Sequence, residues 1–305
     1  MNAAPSRDLI LGAFWRDRMD CEPFLQSLRA CNYAGDVVFA THETSPSRIH
    51  ELHQRGVHTF PLRTFAHRVH PGGDYFRGEA LKPLRTMVAQ VSRFLPKYLQ
   101  SRTVELFYHR VFGRFAAWRR FLEKNGSSYD RVLLTDVRDV FFQRDLFQQP
   151  FDQHLHVVQE PDKMRLRDDP ANAEWLRLAG GADALARFGD CPISCDGTTY
   201  GTTRRVLEYL DKMIEHMNGA LAELATHRDG DQGVHNFLLR SGQLPQARLE
   251  LSFQSHVLTM HWLDSGELRW NDRNQIVNHD GSVISLLHQY DRRADVKERV
   301  IAQLA

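Results

Sequence analysis

An α/β fold, with a mostly parallel sheet between helices, is what this sequence predicts, and three observations predict it. Short apolar runs alternate with amphipathic stretches from the N-terminus to about residue 60. A long stretch of helical periodicity then leads into another apolar run, Arg131–Thr135. With 305 residues, 42% of them apolar and 10% aromatic, the chain can fill the core that such a sheet needs.

Leu9–Trp15 is apolar throughout and is closed by Arg16, Asp17 and Arg18, the pattern of a fully buried strand. Cys21–Cys31 follows as a helix with Phe24, Leu25 and Leu28 at helical spacing. Asp36–Thr41 is a second strand, Arg48–Arg55 a helix ended by Gly56, and Val57–Pro61 a third strand. Residues 65–77 turn polar and read as a loop. In Thr103–Lys124, Val104, Phe107, Val111, Phe115, Trp118 and Leu122 recur every three or four residues, which predicts one continuous helix with a face on the sheet. Arg110 and Arg114 lie four apart on it and point the same way, either as a solvated flank or as a clamp on a diphosphate. Asn125-Gly126-Ser127-Ser128 breaks that helix before the strand Arg131–Thr135. In the second half His154–Gln159 reads as a strand, residues 171–178 and Arg204–Met217 as helices, Asn278–Ser282 as a turn and Val283–Leu287 as a strand. No linker, repeat or low-complexity segment divides the chain, so one domain is expected over residues 1–305, built from halves 1–147 and 148–305.

Lys and Arg number 39 against 38 Asp and Glu, so no global field recruits nucleic acid. Four cysteines, Cys21, Cys31, Cys191 and Cys195, are too few to staple the chain and lack zinc-ribbon spacing; they suit a reducing cytoplasm. No apolar stretch approaches the ~20 residues of a membrane span, so the expected membrane contact is at most peripheral. No P-loop occurs, and no G-x-G-x-x-G follows the first strand, which argues against a dinucleotide oxidoreductase.

The chemistry concentrates where Arg131–Thr135 ends. In Thr135-Asp136-Val137-Arg138-Asp139-Val140-Phe141-Phe142 two carboxylates sit three positions apart just beyond a buried strand. Held about 5 Å apart they repel by roughly 3 kcal/mol at an effective dielectric near 20, a cost that a divalent cation reverses. The plainer reading is that they cap the next turn or pair with Arg138. The segment Leu133–Phe147, LLTDVRDVFFQRDLF, resembles the nucleotide-diphospho-sugar transferases of GT-A fold, whose DxD motif follows an apolar strand and holds a metal and the donor diphosphate. Here the carboxylates are spaced DxxD; Asp139 stands where the second motif aspartate falls, and Asp136 precedes the first by one position.

That resemblance implies a Rossmann-like GT-A domain with a mixed, mostly parallel sheet flanked by helices, the first half binding the nucleotide sugar and the second the acceptor. It implies a cytoplasmic, at most membrane-associated enzyme that moves a sugar from a nucleotide-diphosphate donor to a glycan or lipid-linked glycan, with Mn2+, or Mg2+ in its place. Three further segments extend it. Cys195–Thr202 looks like the small-residue turn that faces donor and acceptor, through Gly197 and Thr198. Asp229–Asn236 resembles a DQ helix start, in which Asp231 is either an N-cap or the general base of an inverting transfer and Gln232 a donor contact. His288-Gln289-Tyr290-Asp291-Arg292, after an apolar strand, resembles the late histidine segment that completes the metal site. On this resemblance Asp136, Asp139 and His288 hold the metal, Arg138 assists catalysis, and Arg110, Arg114 and Arg292 meet the donor phosphates. Two other readings use the same residues: a metal-dependent phosphohydrolase or nucleotidyltransferase, and a sugar-nucleotide-binding module without turnover.

Overall fold

The computed structural model describes residues 7–64, 82–150, 152–227 and 229–304. The expected loop at residues 65–77 lies outside them. The protein is α/β, with a seven-stranded mixed sheet flanked by helices.

The N-terminal elements follow the predicted order: β1 (Asp8–Trp15), α1 (Glu22–Ala30), β2 (Asp36–His42), α2 (Pro46–Gln54) and β3 (Val57–Pro61). β1 alternates between two cores. Leu9, Leu11 and Ala13 face one side with Val38, Ala40, Val132 and Leu134, while Ile10 and Phe14 face the other with Phe39 and the α1 residues Phe24, Leu25 and Leu28. Each fully buried large apolar side chain stabilises the fold by about 1.5–3 kcal/mol. Burial on both faces is the reason these strands read as unbroken apolar runs.

The expected single helix 103–124 is two. After α3 (Lys82–Ser92), α4 runs over Lys97–Phe107 and α5 over Arg110–Asn125, with Tyr108 and His109 extended between them. Helical periodicity continues across the break because both helices bury one face in the same core, so pattern alone does not reveal it. Trp118 of α5 donates its indole N–H to the Gly12 carbonyl at 3.2 Å, pinning the helix to β1. The chain then forms β4 (Arg131–Asp136), β5 (Val140–Phe142), β6 (Leu155–Gln159), α6 (Pro170–Gly180), α7 (Ala182–Phe188), β7 (Ser194–Thr202), α8 (Thr203–Gly219), α9 (Asp231–Arg240), β8 (Ala247–Glu250), β9 (Val257–Thr259), β10 (Leu286–His288) and α10 (Ala294–Ile301).

The main sheet has the order β3-β2-β1-β4-β7-β6-β8, in which β7 alone runs against the rest. The expected turn at residues 195–202 is therefore a strand. Its polar and small residues lie in a buried, central position because they meet the site and not because they turn. The expected strand 283–287 forms only at Leu286–His288, which pairs antiparallel with β5 and parallel with β9 in a small second sheet. All four cysteines are free.

Candidate metal centre

Strand order places the site. The chain lays down β1, β2 and β3 in one direction, then returns to put β4 on the other flank of β1. In open α/β sheets a ligand crevice lies at such a reversal, beyond the carboxyl ends of the strands. Asp136 is the last residue of β4 and stands opposite Ala13 of β1 at that edge.

Local pairing does the rest. Val137 turns the chain back over β1, where a Cβ on Gly12 would lie 2.5 Å from the Val137 side chain, so only glycine admits this turn. β5 then pairs with β10 in a register that sets Val140 opposite His288, and the Gln289 amide donates to the Asp139 carbonyl at 2.7 Å. Gln289 itself has φ 59, the left-handed geometry that ends the strand at the imidazole.

The result is a convergence of three potential ligands. His288 Nε2 lies 3.6 Å from Asp136 Oδ2 and 3.8 Å from Asp139 Oδ1, too far for hydrogen bonds, and all three atoms fall within 4.8 Å of one another. His288 is fully buried, yet its Nε2 has no hydrogen-bond partner. Unpaired buried polar atoms are rare and call for an occupant. The other ring nitrogen, Nδ1, lies 3.4 Å from Thr259 Oγ1 and 3.6 Å from Cys195 Sγ, contacts compatible with a proton on Nδ1, the tautomer that leaves the Nε2 lone pair for a ligand. Space for an occupant depends on Gly197, because a Cβ there would sit 2.5 Å from His288 Cε1 and 2.8 Å from Asp136 Oδ2. An orphaned imidazole nitrogen, two carboxylate oxygens and a cradle that one methyl would fill together fit a divalent cation.

Each carboxylate is held by its second oxygen. Arg114 Nη1 donates to Asp136 Oδ1 at 2.6 Å, while Arg138 Nη2 and Arg292 Nη2 donate to Asp139 Oδ2 at 2.8 and 3.2 Å. One oxygen of each is thereby turned toward His288. Asp139 is buried, whereas Asp136 keeps 34% of its side chain open, so solutes reach the cluster from the Asp136 side. The expectation that Asp139 pairs with Arg138 is met, but the pair leaves the other oxygen available and does not compete with ligation.

Arg114 departs from both sequence expectations. It is 5% exposed and neither a solvated flank nor an open clamp. Its guanidinium also donates to Asp196 Oδ2 at 3.0 Å and Asp231 Oδ2 at 2.8 Å, so it ties β4, β7 and α9 together at one point. Burial pushes the Asp136 carboxyl up, but Arg114, by its charge and its hydrogen bond, together with His288 outweighs burial and holds Asp136 well below the usual range. For Asp196 and Asp231 burial wins over Arg114, with repulsion from Asp231 adding at Asp196 and from Asp136 at Asp231, and both carboxyls are raised.

The remaining expectations divide. Asp231 is not the N-cap of α9, since Gly230 with φ 160 takes that place. Its oxygens each accept one hydrogen bond, Oδ2 from Arg114 at 2.8 Å and Oδ1 from the Gly230 amide at 3.3 Å. Arg110, one turn before Arg114, adds a small part to the lowering of the Glu43 carboxyl, which Arg16 chiefly holds down. Gln232 donates to Asn172 Oδ1 on α6 at 2.8 Å. Thr198 is fully buried in β7, paired with Thr135 of β4. Gly197, Arg138 and Arg292 do meet the cluster, and both arginines keep solvent access at 48% and 38% of their side chains.

The sequence reading missed Glu160, which is 3% exposed immediately after β6. Burial pushes its carboxyl up to about 7, against the opposing pull of Trp262. Its sequence signal is the one that marked Asp136, an acid at the end of a buried strand. A depression of about 440 Å3 lined by Tyr129, Arg131, Asp152, Thr202 and Arg204 lies at the opposite end of β4. None of its lining residues has a buried polar atom without a partner, in contrast to His288 at the carboxyl edge. In comparisons with known proteins, no family model matches this chain and no curated protein matches it significantly.

Proposed function

We propose that this protein is a metal-dependent glycosyltransferase of GT-A type, which moves a sugar from a nucleotide-diphosphate donor to a hydroxyl of a glycan or lipid-linked glycan. One observation carries the reading: Asp136, Asp139 and the orphaned Nε2 of His288 converge at the carboxyl edge beside the β1/β4 reversal. The resemblance of the Leu133–Phe147 and His288–Arg292 segments supplies the reaction class.

Asp136, Asp139 and His288 would hold the cation, Mn2+ being the best match to two carboxylates and an imidazole, with Mg2+ the alternative. When bound, it supplies Lewis-acid stabilisation of the charge that develops on the departing diphosphate. Arg138 and Arg292 are the solvent-reaching cations beside it, suited to bidentate contact with phosphate oxygens. Arg114 keeps Asp136 ionised and aimed, and so positions the site without touching donor. Gly197 keeps the cradle open.

The decisive experiment incubates the protein with nucleotide sugars and Mn2+ and identifies the products. Release of free sugar plus nucleoside diphosphate, dependent on Mn2+ and lost in Asp139→Ala, is the expected result. Release of inorganic phosphate or nucleoside monophosphate instead identifies a phosphohydrolase or nucleotidyltransferase. Tight donor binding with no turnover under any acceptor identifies a binding module.

A further inference from the structure

Residues 82–104 contain five Lys and Arg and no Asp or Glu, in a chain whose overall charge is only +1. They form α3, the turn through residues 93–96 and most of α4. Met87 and Val91 lie one helical turn apart on α3, Phe94 lies in the connecting turn and Tyr98 opens α4, so all four fall within residues 87–98. They are 56%, 54%, 74% and 64% exposed, and they make up four of the six large apolar side chains exposed among the described residues. Such clustering is unusual on a soluble surface and marks a contact site.

The charge says what the contact is with. Arg93, Lys97 and Arg102 are exposed beside these apolar groups, with Arg93 over the Phe94 ring at 4.7 Å. Lys97 has one loose ion pair, to Glu215 at 3.8 Å, with both side chains open to solvent. Apolar and aromatic groups rimmed by cations match the interface of an anionic bilayer, where rings enter the headgroup layer and cations meet lipid phosphates. Each helix has 11 residues and so spans about 16 Å, against a hydrocarbon core of about 30 Å; the pair lies on the surface and does not cross.

We propose that the α3–α4 face is a peripheral docking surface for anionic lipid bilayers, with Phe94 and Tyr98 as the inserted groups and Arg93 and Lys97 as the electrostatic contacts. This stands independently of the sugar-transfer reading. The test is co-sedimentation of the full chain with vesicles of phosphatidylcholine alone and of phosphatidylcholine mixed with phosphatidylglycerol. Binding is expected to the mixed vesicles only, and to weaken as salt is raised. Phe94→Ala should lower partitioning on the order of tenfold, and Arg93→Gln or Lys97→Gln roughly fivefold each. These positions are exposed, so thermal melting and Mn2+ binding should be unchanged, which separates this proposal from the fate of the metal site. Equal partitioning to both vesicles, or none to either, overturns it. So does sedimentation showing a dimer that Phe94→Glu dissociates while the wild type ignores lipid, because the face would then bind a second copy of this chain.

Discussion

At the scale of single residues, the site depends on a division of labour between the two oxygens of each carboxylate. Arginine holds one and turns the other toward His288. Asp139→Ala or His288→Ala is therefore expected to leave the fold intact and remove Mn2+ binding, measured by titration calorimetry; binding at wild-type affinity would end the metal assignment. Gly197→Ala is expected to weaken Mn2+ affinity about 10- to 100-fold, since the added methyl enters the space beside Nε2. Asp231→Asn tests the general-base expectation. If Asp231 serves chiefly as a partner of Arg114, stability and metal affinity should fall along with turnover. A loss of turnover alone would support its role as base.

At the scale of elements, Arg114 is the joint between β4, β7 and α9. Removing one partner of a buried ion cluster strands the others, so Arg114→Ala should cost about 3–5 kcal/mol in denaturant unfolding. Arg114→Lys should recover little, because an ammonium cannot reproduce the planar fork that reaches three carboxylates. The packing of α9 on the sheet carries a separate pH dependence. His235 is fully buried, bonded to Ser194 Oγ and Tyr209 OH at 2.9 Å each, and burial lowers its pKa from 6.5 to about 3. The unfolded chain takes up a proton near 6.5 that the fold excludes, so this stability is present above pH 6.5 and is lost as pH falls toward 3. The limiting slope is about 1.4 kcal/mol per pH unit. Urea unfolding across that window should show a shallower acid slope for His235→Gln than for the wild type; identical slopes would refute the burial argument.

At the scale of the whole molecule, one strand reversal generates the crevice, and a small second sheet brings the last ligand to it. β10 has only three residues, but its pairing with β5 sets His288 against the turn that carries Asp139. The candidate metal centre thus closes a span of 152 positions between Asp136 and His288, and occupancy by a cation should couple to global stability. With Mn2+ and nucleoside diphosphate at 100 times their dissociation constant, linkage adds about 2.7 kcal/mol. That is on the order of 5 °C in midpoint for a chain of this size, read by thermal shift. The same shift should be absent in Asp139→Ala.

What was legible in the sequence is what local rules write. Strands buried on both faces leave continuous apolar runs, so β1, β2, β3, β4 and β6 could be placed to within a residue or two, and acids at the end of such a run announced Asp136 and Asp139. The late histidine was legible for the same reason, as a polar residue delivered by an apolar run. The break between α4 and α5 was hidden because both helices share one apolar face, and β7 was mistaken for a turn because its buried residues are small and polar. The burial of Arg114 was not written locally at all: arginine is usually exposed, and only the packing of three elements supplies the carboxylates that permit it. Sequence by itself determined the mostly parallel αβ frame and the acids at its strand ends, since these follow from neighbours along the chain, while the family resemblance supplied His288 as a candidate ligand. Only tertiary structure decided that Asp136, Asp139 and His288 share one gap, because that convergence depends on strand order and on pairing between segments far apart in sequence.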